Sequence, residues 1–388
     1  MDHPVGKALV IALLLSTGGV ATAQDSETTG LTANEIKIGM FGPVTGPAYL
    51  YGKIAMNGAE AVFDQINSAG GIHGRKLVLV REDDACKPEG AIAAAKKLIH
   101  ETKVFAIIGS SCSNSTLAAR PEIEKSGIPF IQDAATADAV TIPVAKNIFT
   151  TQVTSTIESR AQIDYVLKKG FKKVALVAMK DAWGMARYEP FMKYAAEKKL
   201  TLVENLELQG DAMDATPQAL KLKASGADAV ILILYPKPAA IMMRDAIKLG
   251  FNPSWVGQST IADLKAFEAQ VGMPGAMNNF VTISSTRFDP TDAKIAAWND
   301  RIKRLFPNDE LSPFNFYGVG GATVLAESLK RAGKDVTRTK LNESIEGITD
   351  FRADAFFGPI TCSRAANHQC NQQPGWFTMK DGKLVEVN

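Results

Sequence analysis

The chain has 388 residues, 46% hydrophobic and 22% charged, and carries a formal net charge of +2 with no dominant basic block. That balance speaks against nucleic acid or an anionic membrane surface as a partner. A length well beyond the ~100–200 residues of a typical domain predicts two domains.

At the amino end, Lys7 precedes an apolar run over 8–15, and Ala21, Thr22 and Ala23 form the small-x-small pattern that signal peptidase reads. Residues 1–23 are therefore expected to be a cleaved export signal leading to an oxidising compartment. The apolar run is too short for a bilayer span, which takes ~20 residues.

From there, short β-branched runs alternate with amphipathic segments of helical length, the pattern of a parallel sheet with crossover helices. The spacing predicts strands over 36–41, 76–82, 105–109 and 128–132, and helices over 52–66, 88–100 and 115–125. Ser126 and Gly127 end the last of these helices, where glycine can adopt the left-handed conformation. A second series predicts strands over 174–178, 202–208, 229–234 and 255–257, with helices over 184–198, 217–224 and 238–249. Each series needs right-handed crossovers and two covered faces, so two doubly wound, Rossmann-like α/β lobes are expected rather than one wide sheet. Beyond 283 the chain is predicted to be mostly helical, over 291–305 and 317–331, and periodicity leaves open which lobe these helices join.

Some strings invite chemistry and do not support it. GVGGA at 318–322 resembles a dinucleotide fingerprint but falls inside a helical stretch instead of after a strand, so close helix packing is expected. Glu82, Asp83 and Asp84 lack a general-acid partner pattern and read as a structural hydrogen-bonding cluster. Lys168, Lys169, Lys172 and Lys173 read as a solvated helix end. His73, His100 and His368 show no metal-ligand spacing, and no Ser/His/Asp or Cys/His arrangement is apparent. No metal, no cofactor and no enzymatic activity are expected.

In open α/β sheets, ligands bind beyond the carboxyl ends of strands, where amides at helix N-termini favour an anion. Residues 110–116, after the strand over 105–109, and 133–136, after the strand over 128–132, each offer hydroxyls and N–H groups there. Ordinary N-capping is the alternative role for these hydroxyls.

The motifs IKIGMFGPVTGP, YGKIAMNGAEAVFDQINSAGGIHGRKL, REDDACKPEGAIAAAKKLI, AIIGSSCSNST and IPFIQDAATA follow one another in an order that resembles the type I periplasmic binding proteins, within them the leucine/isoleucine/valine-binding proteins of ABC importers. The likeness is strongest over 36–140 and weaker after Ala276. It implies two lobes joined by three hinge crossings, with residues 31–152 plus 283–360 in the first and 153–282 plus 361–388 in the second. The ligand would sit in the cleft between them, and the export signal would then lead to the periplasm.

The resemblance also implies residue roles. The family's disulfide falls on Cys86 and Cys112, and Cys362 and Cys370 are expected to pair within their shared loop. Ser113 and Thr136 match the carboxylate-binding positions. Tyr51, Trp183 and Tyr235 match aromatic cleft positions, for which core packing is the alternative role. Trp183 stands where the amino acid binders have tyrosine, and suggests a flat wall for a bulky ligand.

Ser259 aligns with the glutamate that neutralises the ligand ammonium, and Ser155 with a second position where relatives can carry aspartate. An ammonium buried without a counter-charge loses its water for little return. The expected ligand is therefore a small carboxylate, either an aromatic acid or a branched aliphatic or keto acid, unless an acidic side chain such as Asp181 supplies the charge. The branched-chain amino acid itself is the alternative. Expected partners are an ABC permease and its ATPase, with a membrane receptor in their place if the protein serves sensing, and the binding protein is expected to be a monomer.

Overall fold

The computed structural model describes residues 26–46, 48–273, 275–380 and 382–387. The expected export signal lies outside the described residues. Among them, no helix is long and apolar enough to cross a membrane.

The alternation of β-branched runs and amphipathic segments builds two sheets. The first holds five parallel strands in the order β2-β1-β3-β4-β5, namely β1 (Glu35–Gly42), β2 (Lys76–Asp83), β3 (Ala106–Gly109), β4 (Phe130–Gln132) and β5 (Ile148–Thr150). Every residue of β3, β4 and β5 is buried, as strands covered on both faces must be. Helices α1 (Tyr49–Ser68), α2 (Pro88–Lys96) and α3 (Ser113–Ser126) carry the chain between strands, and α2 runs on into a π-helical turn over Lys97–Glu101.

The second sheet has seven strands in the order β12-β11-β10-β9-β8-β6-β7. Its parallel part comprises β6 (Val174–Ala178), β7 (Leu202–Glu207), β8 (Ala229–Ile233), β9 (Ser254–Val256) and β10 (Phe280–Ser284). The antiparallel pair β11 (Gly375–Lys380) and β12 (Lys383–Val387) completes one edge. Around this sheet run α4 (Ser155–Lys169), α5 (Ala182–Glu197), α6 (Thr216–Ser225), α7 (Pro236–Lys248) and α8 (Leu264–Val271).

The structure departs from expectation in the last hundred residues. They are not only helical: α9 (Ala293–Leu305), α10 (Asn315–Ala332) and α11 (Arg338–Glu346) are followed by the β11–β12 hairpin. The lobe boundary expected at 282/283 also falls inside β10, so the second sheet keeps the chain as far as Ser284. The three helices turn back to the first sheet, where Phe316, Leu325 and Leu341 share one apolar core with Ile38, Ile108 and Phe149. A separate core gathers Leu176, Ile231, Met242, Trp255 and Phe377 under the second sheet.

Helix α10 lies so close to α1 that a Cβ on Gly318 would stand 1.8 Å from the carbonyl oxygen of Ala55, and one on Gly58 1.9 Å from that of Asn315. GVGGA is therefore a helix-packing stripe. Gly321 of the same stripe faces Asp133, whose Cβ is 3.1 Å from where a Gly321 Cβ would be.

Three stretches of chain run side by side between the sheets. Cys370 N–H donates to Thr150 O at 2.8 Å, Thr150 N–H to His368 O at 2.9 Å, and Asn371 Nδ2 to Ser285 O at 2.8 Å. Asp138 ties two of them further, accepting from Thr154 Oγ1 at 2.6 Å and from Gln369 Nε2 at 3.2 Å.

The acidic cluster shapes the loop after β2. Asp83 accepts from Val44 N at 2.8 Å, Ala85 N at 2.9 Å and Thr45 Oγ1 at 2.5 Å, while Asp84 accepts from Cys86 N at 2.8 Å. These bonds present Cys86 to Cys112, with which it forms a disulfide across a Cα–Cα distance of 5.5 Å. Cys362 and Cys370 form the second disulfide, at 4.1 Å.

Candidate functional site

The carboxyl ends of the two sets of strands face each other across a cavity of about 540 Å³. All six residues predicted from the sequence, Tyr51, Ser113, Thr136, Trp183, Tyr235 and Ser259, line it. The first-sheet side is built by short strand-to-helix turns. β3 ends at Gly109, and α3 begins at Ser113 after a turn that the disulfide at Cys112 pins to the β2 loop. Thr136 lies in the turn after β4, where Ser113 Oγ accepts from Ala137 N at 3.3 Å and so joins the two turns.

Ser155 holds the Thr136 turn from behind, donating its N–H and its hydroxyl to Thr136 O at 2.7 and 2.9 Å. It is buried and does not line the cavity. Asp181 caps α5 by accepting from Gly184 N at 2.7 Å. One of its two carboxylate oxygens is engaged in that cap.

On the second-sheet side, Trp183 in the first turn of α5 stacks on Tyr235, the N-cap residue of α7, with ring centroids 4.1 Å apart and planes at 24°. Opposite stand Tyr51, Phe314 and Tyr317, with neighbouring ring centroids 4.7 and 5.4 Å apart. Two of these phenols reach across the cleft: Tyr51 donates to Thr260 O at 3.4 Å and Tyr317 to Ser259 O at 3.3 Å. Burial pushes both hydroxyls well above their ordinary value, and pushes Tyr235 up to about 12 with help from the charge of Asp181. The phenols therefore act as neutral hydrogen-bonding groups.

Two charged residues that sequence reading passed over complete the site. Glu158 on α4 and Arg187 on α5 are buried, with side chains 1% and 2% exposed, and pair at 3.2 Å through Arg187 Nε and Glu158 Oε2. Glu158 Oε1 accepts from Ser259 N at 3.3 Å. Arg187 Nη2 donates to Thr136 Oγ1, and the guanidinium carbon lies 4.1 Å from the Trp183 ring centroid. Burial pushes the Glu158 carboxyl upward, against the pull of Arg187 and the bonds from Ser259.

A carboxylate lies near the Ser259 position, since Glu158 Oε1 accepts from its N–H, although Glu158 does not line the cavity. The available signal was the buried stripe Ser155, Glu158, Ser159 and Gln162 at helical spacing, a polar face turned inward.

The cavity offers hydroxyls for an anionic group and aromatic rings for an apolar body, with the Glu158–Arg187 pair behind its lining. It is a binding geometry. Among curated relatives, the leucine-, isoleucine-, valine-, threonine- and alanine-binding protein of Pseudomonas aeruginosa is 28% identical over 310 residues, 78% of this chain and 80% of that one.

Among solved structures, the branched-chain amino acid transporter substrate-binding protein of Streptococcus pneumoniae in complex with isoleucine aligns with a TM-score of 0.77 at 23% identity, covering 91% of this chain and 100% of that one. A fatty acid ABC transporter substrate-binding protein from Thermomonospora curvata aligns equally well, with a TM-score of 0.77 at 21% identity and 93% of each chain covered. At these identities the two structures establish the fold, two parallel-sheet lobes of the type I periplasmic binding protein kind. The family described as periplasmic binding protein matches residues 35–383, and the chain belongs to it.

Proposed function

We propose that this protein captures a branched-chain amino acid between its lobes outside the cytoplasm and hands it to an ABC permease and its ATPase. The observation that carries the reading is the convergence of Ser113, Thr136 and Ser259, with Glu158 behind the last, on a cavity that also presents the rings of Tyr51, Trp183, Tyr235, Phe314 and Tyr317. The ligand carboxylate would sit at Ser113 and Thr136, its side chain against Trp183 and Tyr235, and its ammonium toward Ser259 in the field of Glu158. The relatives' names point the same way. Closure would occur about the three adjacent stretches near Thr150, Ser285 and Cys370, the hinge motion known for this class.

One observation favours a second reading, a branched aliphatic, keto or aromatic acid without an ammonium. Glu158 is already paired with Arg187, and neither lines the cavity. A thermal-shift screen of leucine, isoleucine and valine against their keto acids and benzoate separates the two, since a ligand at a hundredfold excess over Kd adds about 2.7 kcal/mol of stability. The first reading predicts that the amino acids raise the melting temperature most. A larger shift with the keto acids or benzoate would replace it with the second, and no shift with any of them would remove both.

A further inference from the structure

We propose that Arg187 is a specificity-determining residue that requires the ligand to carry an anionic group, supplying from the second lobe the charge that faces a carboxylate held by the first. The inference rests on the reading of Ser113 and Thr136 as the carboxylate site, and adds a cation to it.

Three observations converge on this side chain. It stands four residues after Trp183 on α5, so both share one helix face, and its guanidinium lies over the indole. It spans the cleft, because Nη2 donates to the hydroxyl of Thr136, a cavity-lining residue on the opposite side. Its donors are also only partly used. Nε meets Glu158 at 3.2 Å and Nη1 meets Trp183 O at 3.5 Å, and these bonds together with the one to Thr136 leave an N–H on each terminal nitrogen unengaged.

An arginine stays protonated even when buried, and its planar fork is suited to carboxylates. A ligand carboxylate taking up the hydroxyl of Thr136 would therefore come within reach of the guanidinium as the lobes close. A neutral group in the same place would leave the cation facing no anion beyond Glu158. Closure is thus made dependent on ligand charge, and Glu158 acts as the positioning residue that holds the fork by its Nε edge.

The test compares leucine with leucinamide, and the keto acid of leucine with its amide, by calorimetry on wild type, Arg187→Gln and Arg187→Lys. Arg187→Gln leaves Glu158 buried and unpaired and can fail to fold, so Glu158→Gln/Arg187→Gln, which removes both charges, is measured beside it. Loss of the cation is expected to weaken the acid about thirtyfold, the scale of a hydrogen bond to a charged group, while the amide changes less than about threefold. Lysine should recover part of the loss. An acid-to-amide ratio unchanged from wild type in a folded variant would overturn the assignment while leaving the proposed ligand class standing. Failure of the wild-type protein to bind either acid would instead overturn the reading on which it rests.

Discussion

Glu158→Ala is expected to destabilise the protein by about 3–5 kcal/mol, the cost of leaving one partner of a buried ion pair without its counter-charge. Arg187 is 2% exposed and cannot shed its proton to escape the cost. The same deletion removes the acceptor for Ser259 N–H, so the turn that closes the second-lobe side of the cavity loosens as well. Urea unfolding of the ligand-free protein measures the loss. A companion variant, Glu158→Gln/Arg187→Met, removes both charges and is expected to regain most of the stability, because neutral groups of similar size often replace a buried pair without penalty. A double variant as unstable as the single one would show that packing around the pair, and not its charge, is what matters.

The second large effect lies at Asp133, just past β4 and beneath α10. Its side chain is buried, and neither carboxylate oxygen has a hydrogen-bond partner from another residue among the described residues. Burial pushes its pKa up to about 8. In the unfolded chain the group titrates near its ordinary ~3.9. Between about pH 4 and pH 8 the unfolded state therefore releases a proton that the folded state retains, and stability falls as pH rises through that window.

At pH 7 the accumulated loss is on the order of 4 kcal/mol, three pH units at ~1.4 kcal/mol each. Asp133→Asn keeps the shape without the charge. It is expected to stabilise the protein by a few kcal/mol at pH 7 and by little at pH 4. Denaturant unfolding of both proteins at the two pH values checks this, and an equal difference at both would mean that Asp133 titrates like an exposed carboxyl.

The same physics explains which parts of this molecule could be read from its residues. β6 and β8 are unbroken apolar runs buried on both faces, and both were legible to within a residue. Helix α4 was not, because the first half of its buried face is polar: Ser155, Glu158, Ser159 and Gln162 point inward, and the apolar Ile163 and Val166 follow only in its second half. β5 has three residues, too few to show a period. The β11–β12 hairpin sits on the edge of a sheet that the chain left ninety residues earlier, a pairing no local pattern encodes.

The cleft divides in the same way. The six predicted residues lie where strands give way to helices, in the connecting turns or the first helical turn, where the family's motif order and strand periodicity together locate them. Glu158 and Arg187 are 29 residues apart on two helices, and charged residues on helices are ordinarily solvent-facing, so only their burial in three dimensions identifies them as a pair.

The most direct measurement is a calorimetric titration of leucine, isoleucine and valine into the mature protein, repeated with Ser113→Ala and Thr136→Ala. A bond from either hydroxyl to a ligand carboxylate is worth ~1.5–3 kcal/mol, or about ten- to 150-fold in Kd. The account predicts a single saturable site in wild type and a loss of that size in each variant, with the fold preserved. Wild-type affinity in both variants, or no heat from any of the three amino acids or their keto acids, would contradict it.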